Sequence, residues 1–184
     1  MIAYNKGTVK ENCYKKQKCE DSTVKKPLIL YFSVYGSSKA LAEEIARQTG
    51  GDLCEIVPEI PYDSDRSHYS ALAKYAKEEH DRDARPAIKG ALPVGDYDTI
   101  FLGYPMWWYT FPMIVYTLFD EYDFKGKTLI PFNTHMGSGD GGTYGTVKKL
   151  AKGAKVLPGL PVEMSDAEKG AEQAVRVWIA SLKL

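Results

Sequence analysis

The chain has 184 residues, of which 44% are hydrophobic and 26% charged, a length and composition that suit one well-buried globular domain and not two. Its 24 Lys and Arg residues balance 24 Asp and Glu residues, but residues 1–26 hold seven lysines and three acidic residues, so this segment carries +4 and the remainder −4. A mildly acidic body argues against nucleic-acid binding, and no apolar run in the sequence is as long as a membrane-spanning helix.

Residues 1–26 are polar and basic with little apolar periodicity, and we expect an N-terminal arm followed by one folded domain over residues 27–184. Cys13 and Cys19 lie in this arm, and Cys54 lies in the domain. No further cysteine or histidine near the first two completes a metal site. We therefore expect ordinary thiols, no metal, and a reducing, cytoplasmic compartment.

The folded part begins with an unbroken apolar run, residues 28–32, which is typical of a parallel strand buried on both faces. A hydroxyl-rich turn follows, and then Ala42, Ile45 and Ala46 recur at helical spacing. Such a turn directs backbone N–H groups and the positive end of a helix dipole to one point, which suits a phosphate. A serine-rich helix cap is the alternative explanation. The turn has neither the Walker spacing nor the G-x-G-x-x-G pattern, which favours one terminal phosphate over a pyrophosphate.

Four further strands are predicted from short apolar runs, at residues 53–57, 99–103, 128–132 and 155–157. Helices are predicted within residues 60–93, after Pro112, near 144–151 and after Ser165, which we expect to cap the last helix, with Trp178 in its buried stripe. Pro131 is unusual inside a central strand, so we expect a local irregularity there.

Strands that alternate with helices predict an α/β fold, a doubly wound five-stranded parallel sheet with helices on both faces. The strand order can be Rossmann-like or 2-1-3-4-5. In the second order a crevice opens between strands 1 and 3. The loops at that crevice are then the hydroxyl-rich turn at 33–38 and an aromatic loop at 104–109. A flat aromatic ligand that carries a phosphate fits both loops.

Several separated segments, in order and spacing, resemble bacterial short-chain flavodoxin-like proteins of the branch that carries G-[FY]-P-x-W-W-Y. The resemblance covers residues 27–184 and includes the segments YFSVYGSSK, RPAIKG, DYDTIFLGYPMWWYTFP, FKGKTLIPFNT and GSGDGG. It implies the flavodoxin-like order 2-1-3-4-5, for which flavodoxin itself, with FMN, is the standard example. It also implies noncovalently bound FMN and one- or two-electron redox chemistry.

The resemblance also implies which residues contact the cofactor. The phosphate loop would consist of Ser33, Tyr35, Gly36, Ser37 and Ser38. The isoalloxazine ring would lie against Pro105, Met106, Trp107, Trp108 and Tyr109. The ring edge would meet a third loop formed by Thr134, His135, Met136, Gly137, Ser138 and Gly139. Relatives commonly have T-S-G-G-S-G in this third loop, whereas here the larger His135 and Met136 follow Thr134.

We expect an FMN-binding electron-transfer protein of the flavodoxin type, with redox proteins or a small-molecule electron acceptor as partners, and a monomer or homodimer as the assembly. The alternative is an NAD(P)H-dependent quinone or FMN reductase on the same fold. Phosphorylatable receiver domains share the strand order, but they need an acidic pair after strand 1 and an aspartate after strand 3. This chain has Ser33-Val34 and Gly103-Tyr104 at those positions, which argues against that class.

Overall fold

The computed structural model describes residues 25–184 and, as backbone only, the strand Cys13–Tyr14. The strands are β1 Cys13–Tyr14, β2 Leu28–Tyr31, β3 Asp52–Glu55, β4 Thr99–Pro105, β5 Thr128–His135, β6 Lys155–Val156 and β7 Leu160–Glu163. The helices are α1 Ser37–Thr49, α2 Tyr69–Asp81, α3 Met113–Glu121, α4 Thr143–Leu150, α5 Met164–Ala167 and α6 Glu172–Leu182. Two single 3₁₀ turns, Arg66–His68 and Val94–Asp96, lie in the connections beside α2.

The sheet has the order β1-β3-β2-β4-β5-β6, and β7 also pairs with β5. The strands β2 to β7 pair with one another in parallel, and only β1 pairs antiparallel among the described strands. Since β6 and β7 are two segments on the same side of β5, they together take the place of the predicted fifth strand. If the parallel strands alone are numbered along the chain, with β2 as the first and β6 and β7 together as the fifth, their order in the sheet is 2-1-3-4-5. This confirms the predicted fold class and strand order.

Side chains of the central strands alternate between two cores, one on each face of the sheet. Leu28 and Leu30 pack in one core with α3 and α4, whereas Ile29 packs in the other with α1 and α6. The predicted cover of helices on both faces is therefore confirmed. Trp178 belongs to the second core, where its indole N–H donates a hydrogen bond of 2.9 Å to the carbonyl of Pro158.

The irregularity predicted at Pro131 lies in the neighbouring strand and not in β5 itself. The pairing of β4 with β5 runs without interruption through Pro131. On the other side of β5, the carbonyl of Leu129 accepts from the N–H of Leu157. The backbone groups of residue 131 point to the same neighbouring strand as those of residue 129, because the direction repeats every second residue. The neighbour leaves the sheet between β6 and β7, opposite Pro131. The missing N–H of proline therefore costs no ladder hydrogen bond.

The predicted start of the last helix was wrong. Ser165 lies inside α5, and α6 begins only at Glu172. Gly170 and Ala171 separate the two helices with φ angles of 89° and 47°. Left-handed residues cannot continue a right-handed helix, and the apolar spacing across this segment did not reveal them.

The backbone of β1 pairs antiparallel with the outer edge of β3, where Cys13 lies opposite Cys54. Cys54 is fully buried and disulfide-bonded, so the expectation of a free thiol was wrong there. The side chains of Cys13 and Cys19 lie outside the described residues. The disulfide at Cys54 gives no support for a reducing compartment, so the cytoplasmic location stays a prediction, as does the domain boundary after residue 26. Within residues 25–184, every helix is too short or too polar to cross a membrane.

A small residue is required at Gly103, where the ring of Phe132 fills the space that a Cβ would occupy. Phe132 is fully buried and pairs with Gly103 across the two strands. We expect Gly103→Ala to lower the free energy of unfolding by about 1–3 kcal/mol because the ring must shift within a packed core. Urea denaturation measures this loss. Gly95→Ala is the matched control, since no atom in the described part of the chain lies within 4 Å of its added Cβ. Equal losses in both variants would show that the Phe132 ring does not require a glycine at 103.

Candidate functional site

Three loops at the carboxyl ends of β2, β4 and β5 surround a cavity of about 470 Å³. Most residues of the predicted cofactor site line it, namely Ser33, Tyr35, Ser37, Pro105, Met106, Trp107, Trp108, Tyr109, Thr134, His135, Met136 and Ser138. The volume falls in the usual range for small-molecule sites. The structure therefore brings the three predicted loops together around one space.

The other predicted residues do not line the cavity. Ser38 is fully buried, and its hydroxyl lies 2.9 Å from the hydroxyl of Thr134, which joins the first loop to the third. Gly36, Gly137 and Gly139 have φ angles of 90°, 92° and 60°. These glycines let the chain turn where a Cβ would be strained. They shape the loops and do not line the cavity.

The first loop leaves the N-terminus of α1 open toward the cavity. Gly36 occupies the N-cap position, and no side chain of residues 25–184 accepts from the first N–H groups of the helix. The hydroxyl of Ser33 accepts instead from the N–H of Gly36 at 3.1 Å, one step before the helix. The alternative of a serine-capped helix was therefore wrong. Open N–H groups beside the Ser33 and Ser37 side chains form a site suited to an anion.

Arg66 holds the first loop from outside. Its guanidinium donates to the carbonyl of Tyr35 at 3.0 Å and to Glu168 at 2.5 Å, and it lies 5.6 Å from the centre of the Tyr35 ring. The Tyr35 hydroxyl is shielded from solvent and has no hydrogen-bond partner in the described part of the chain. Burial, together with the charge of Asp63, raises the pKa of Tyr35, so this group stays a protonated donor at neutral pH.

The second loop is a tight hairpin in which Trp107 and Thr110 exchange two backbone hydrogen bonds of 2.9 Å. Between them, Trp108 and Tyr109 have φ angles of 50° and 61°. Such angles cost residues with a Cβ about 1–2 kcal/mol each. The indole N–H of Trp108 donates to the carbonyl of Ala73 at 2.9 Å, which anchors the hairpin to α2. Tyr109 is 81% exposed.

The ring of Trp107 is fixed by edge-on packing against two other rings. Its centroid lies 5.7 Å from that of Phe32 and 5.3 Å from that of Tyr62. The Tyr62 hydroxyl donates at 2.7 Å to the carboxylate of Glu79, which is only 3% exposed. Burial and this hydrogen bond raise the pKa of Tyr62, so the phenol remains a donor. The aromatic wall of the cavity is thus held in one orientation.

The third loop is held by polar side chains beneath it. Asn133 is fully buried, and its amide N–H donates to the carbonyl of Gly139 at 2.9 Å. The hydroxyl of Tyr144 donates in turn to the amide oxygen of Asn133 at 2.5 Å. Burial raises the pKa of Tyr144, which keeps this donor protonated. The Nδ1 atom of His135 lies 3.2 Å from the N–H of Gly137 and 3.5 Å from Glu163.

Comparison with known proteins assigns this architecture to one family: the model of the family described as flavodoxin matches residues 26–181. The chain belongs to the flavodoxin family. Among solved structures, a candidate flavoprotein from Bacteroides eggerthii is 32% identical with a TM-score of 0.73, over 86% of this chain and 98% of that one. A flavoprotein from Lactobacillus acidophilus, solved in complex with FMN, is 25% identical with a TM-score of 0.63, over 80% and 99%.

A flavodoxin from Fusobacterium nucleatum, bound to flavin mononucleotide, is 14% identical with a TM-score of 0.55, over 87% of this chain and 98% of that one. At that identity the likeness shows the shared flavodoxin fold alone. The search of curated proteins found no match to the chain.

Sequence reasoning missed one wall of this flavodoxin-family cavity. The missed lining residues are Val34, Tyr69, Leu72, Ala73, Ala76 and Met164. Four of them recur at helical spacing on α2, so the sequence does reveal a common helix face. Its place beside the cavity depends on the path of the long connection between β3 and β4. Met164, which follows β7, has no comparable signal.

The buried hydrogen bond between Ser38 and Thr134 predicts a specific loss of stability. In Thr134→Val the Ser38 hydroxyl would be buried without a partner, and we expect the free energy of unfolding to fall by about 1–3 kcal/mol. Urea denaturation measures the loss. Thr99→Val is the matched control, because Thr99 is a half-buried strand residue whose hydroxyl makes no hydrogen bond within residues 25–184. Equal losses in the two variants would show that the Ser38–Thr134 hydrogen bond does not contribute specifically to stability.

Proposed function

We propose that this member of the flavodoxin family binds FMN noncovalently in the cavity and acts as an electron-transfer protein. The observation that carries the proposal is that the uncapped N-terminus of α1 and the aromatic hairpin at Trp107–Thr110 face the same space. One end suits a phosphate, and the other suits a flat ring. The FMN complex of the Lactobacillus relative supports the same cofactor.

The residues present fit FMN in their chemistry. The phosphate would be held by the first N–H groups of α1 and by the hydroxyls of Ser33 and Ser37. The unpartnered hydroxyl of Tyr35 is a further donor in the same wall. The ring would be held by the second loop, residues 105–109, and its edge by the third loop, residues 134–139. When bound, FMN supplies the redox chemistry, and the protein supplies binding, orientation and electrostatics.

Electron transfer to a partner is favoured by the exposed rim of the site. Tyr109 is 81% exposed, Met136 71% and Trp108 45%. Large apolar side chains at the mouth of a cavity are typical of interaction surfaces. The partner would be a redox protein or a small-molecule electron acceptor. The same open mouth would admit a planar substrate, so an NAD(P)H-dependent quinone or FMN reductase is the second candidate.

The proposed phosphate site predicts strong discrimination between FMN and riboflavin. Two charge-assisted hydrogen bonds from the first loop should make FMN bind about 100-fold tighter or more. Quenching of flavin fluorescence on titration with the apoprotein measures both affinities. Ser37→Ala should weaken FMN and leave riboflavin unchanged, whereas Ser181→Ala, at an exposed position near the end of α6, should change neither. Equal affinities for the two flavins would refute a phosphate site in the first loop.

A turnover assay separates the two candidate functions. The FMN-loaded protein is mixed with NADH or NADPH and a soluble quinone, with free FMN at the same concentration as the control. A carrier should show no steady oxidation of the nicotinamide until a separate flavodoxin reductase is added, because it needs a partner to deliver electrons. Steady oxidation by the purified protein alone, above the free-FMN rate, would reject the carrier in favour of the reductase.

A further inference from the structure

The position of His135 is set by the register of the sheet. His135 is the last residue of β5, and it pairs directly with Glu163, the last residue of β7. Neighbours in such a pair have their side chains on the same face of the sheet. Accordingly, the imidazole Nδ1 lies 3.5 Å from a carboxylate oxygen of Glu163. The backbone N–H of Gly137 lies 3.2 Å from the same nitrogen.

These contacts determine which nitrogen of the neutral ring carries the proton. A backbone N–H can only donate, so Nδ1 of His135 accepts from Gly137 and the ring proton lies on Nε2. The side chain is only 11% exposed and lines the cavity. Within residues 25–184, Nε2 has no hydrogen-bond partner. It is therefore a donor that can serve a ligand in the cavity.

The charge balance of the cavity wall makes this histidine distinctive. Among the described residues that line the cavity, His135 alone can carry a positive charge, and none is acidic. The other titratable groups of the wall are the phenols of Tyr35, Tyr69 and Tyr109. The charged group that faces the imidazole is Glu163, on the adjacent strand. Protonation of Nδ1 would thus replace the hydrogen bond from Gly137 with an ion pair to Glu163, next to an otherwise uncharged wall.

We propose that His135 is the charge-compensating residue of the flavin site. Its Nε2–H donates a hydrogen bond to the ring edge of the bound flavin. The protonated imidazole, paired with Glu163, stabilises the negative charge that the ring holds after reduction. This inference rests on the FMN binding proposed above. Glu163 acts through the histidine and is a positioning residue.

The proposal fixes the balance of electrons and protons. An external electron donor delivers two electrons to the flavin, and the ring takes one proton from solvent, which leaves one negative charge on the ring. His135 takes a second proton from solvent on Nδ1, so that reduction consumes two electrons and two protons and leaves a neutral pair. Above the pH at which the imidazole titrates in the reduced protein, the second proton is not taken up.

The linkage between reduction and protonation has two readouts that must agree. If reduction favours the imidazolium, then the imidazolium favours reduction by the same free energy. We expect the pH midpoint of the His135 ring, followed by NMR in the wild-type protein, to rise by about one unit when bound FMN is reduced with dithionite. At pH 5.5 the wild-type protein should correspondingly prefer reduced over oxidised FMN about tenfold more strongly than His135→Gln does. This equals a two-electron potential that is about 30 mV higher in the wild type.

The variants separate charge from hydrogen bonding. His135→Gln keeps a neutral amide donor but cannot become positive. When both proteins are measured at pH 8.5, the potential of His135→Gln should therefore approach that of the wild type. Glu163→Gln removes the carboxylate that faces the imidazole, so its potential at pH 5.5 should lie between those of the wild type and His135→Gln. His80→Gln is the matched control, since His80 lies on α2 beside Asp81, is exposed and does not line the cavity. It should change neither readout.

The affinity for oxidised FMN is measured first and separates the two levels of the argument. If the wild-type protein does not bind FMN, the proposed function and this inference both fall. If FMN binds but reduction leaves the His135 midpoint unchanged, the inference alone is overturned. Identical potentials of wild type and His135→Gln at both pH values overturn it as well. Should His135→Gln fail to fold, the NMR titration of the wild-type protein still decides.

Discussion

The parallel register of β2, β4 and β5 is the constraint on which the site depends. Tyr31, Gly103 and Phe132 pair side by side across these strands, so the loops that follow leave the sheet at the same edge. After β2 the chain enters α1 on one face, whereas after β4 it enters α3 on the other. The first two loops therefore diverge and leave a crevice, as expected where a doubly wound sheet reverses. The register itself requires a glycine at 103, because the Phe132 ring lies over it.

Polar contacts, some buried and one exposed, hold the three loops around that crevice. Ser38 bonds to Thr134 between the first and third loops, Trp108 bonds to the backbone of α2, and Asn133 holds the carbonyl of Gly139. Each contact joins segments that are distant in sequence or stabilises a turn with few internal hydrogen bonds. Since these contacts hold the loops in place without a ligand, binding should cost little conformational entropy for ordering the loops. The two non-glycine residues between Trp107 and Thr110 have positive φ, as a two-residue hairpin turn requires, and the indole of Trp108 anchors this strained turn to α2.

The electrostatics of the site follow from the same arrangement. The wall of the cavity is largely apolar, and the end suited to an anion consists of helix N–H groups and hydroxyls. His135, the one base among the described lining residues, is held at another loop by strand pairing. A phosphate and a ring that gains charge would therefore meet separate partners. Charges outside the wall, such as Arg66 with Glu168, hold the loops in place and do not line the cavity.

Local pattern in the sequence determined most of the elements, their order and the first two loops of the site, and the family resemblance supplied the third loop. The apolar run at 28–31, the serines around Gly36 and the aromatic loop after β4 are each contiguous, so their chemistry is visible without a fold. Only the tertiary structure decided features that depend on residues far apart. The stripe on α2 becomes a cavity wall through the path of a long loop, and His135 meets Glu163 because two strands pair in one register. Pro131 is tolerated because a different strand breaks beside it, and the aromatic hairpin is fixed beside α2 because the Trp108 indole bonds to the Ala73 carbonyl. Sequence spacing encodes local periodicity, whereas such contacts arise from the packing of separate elements.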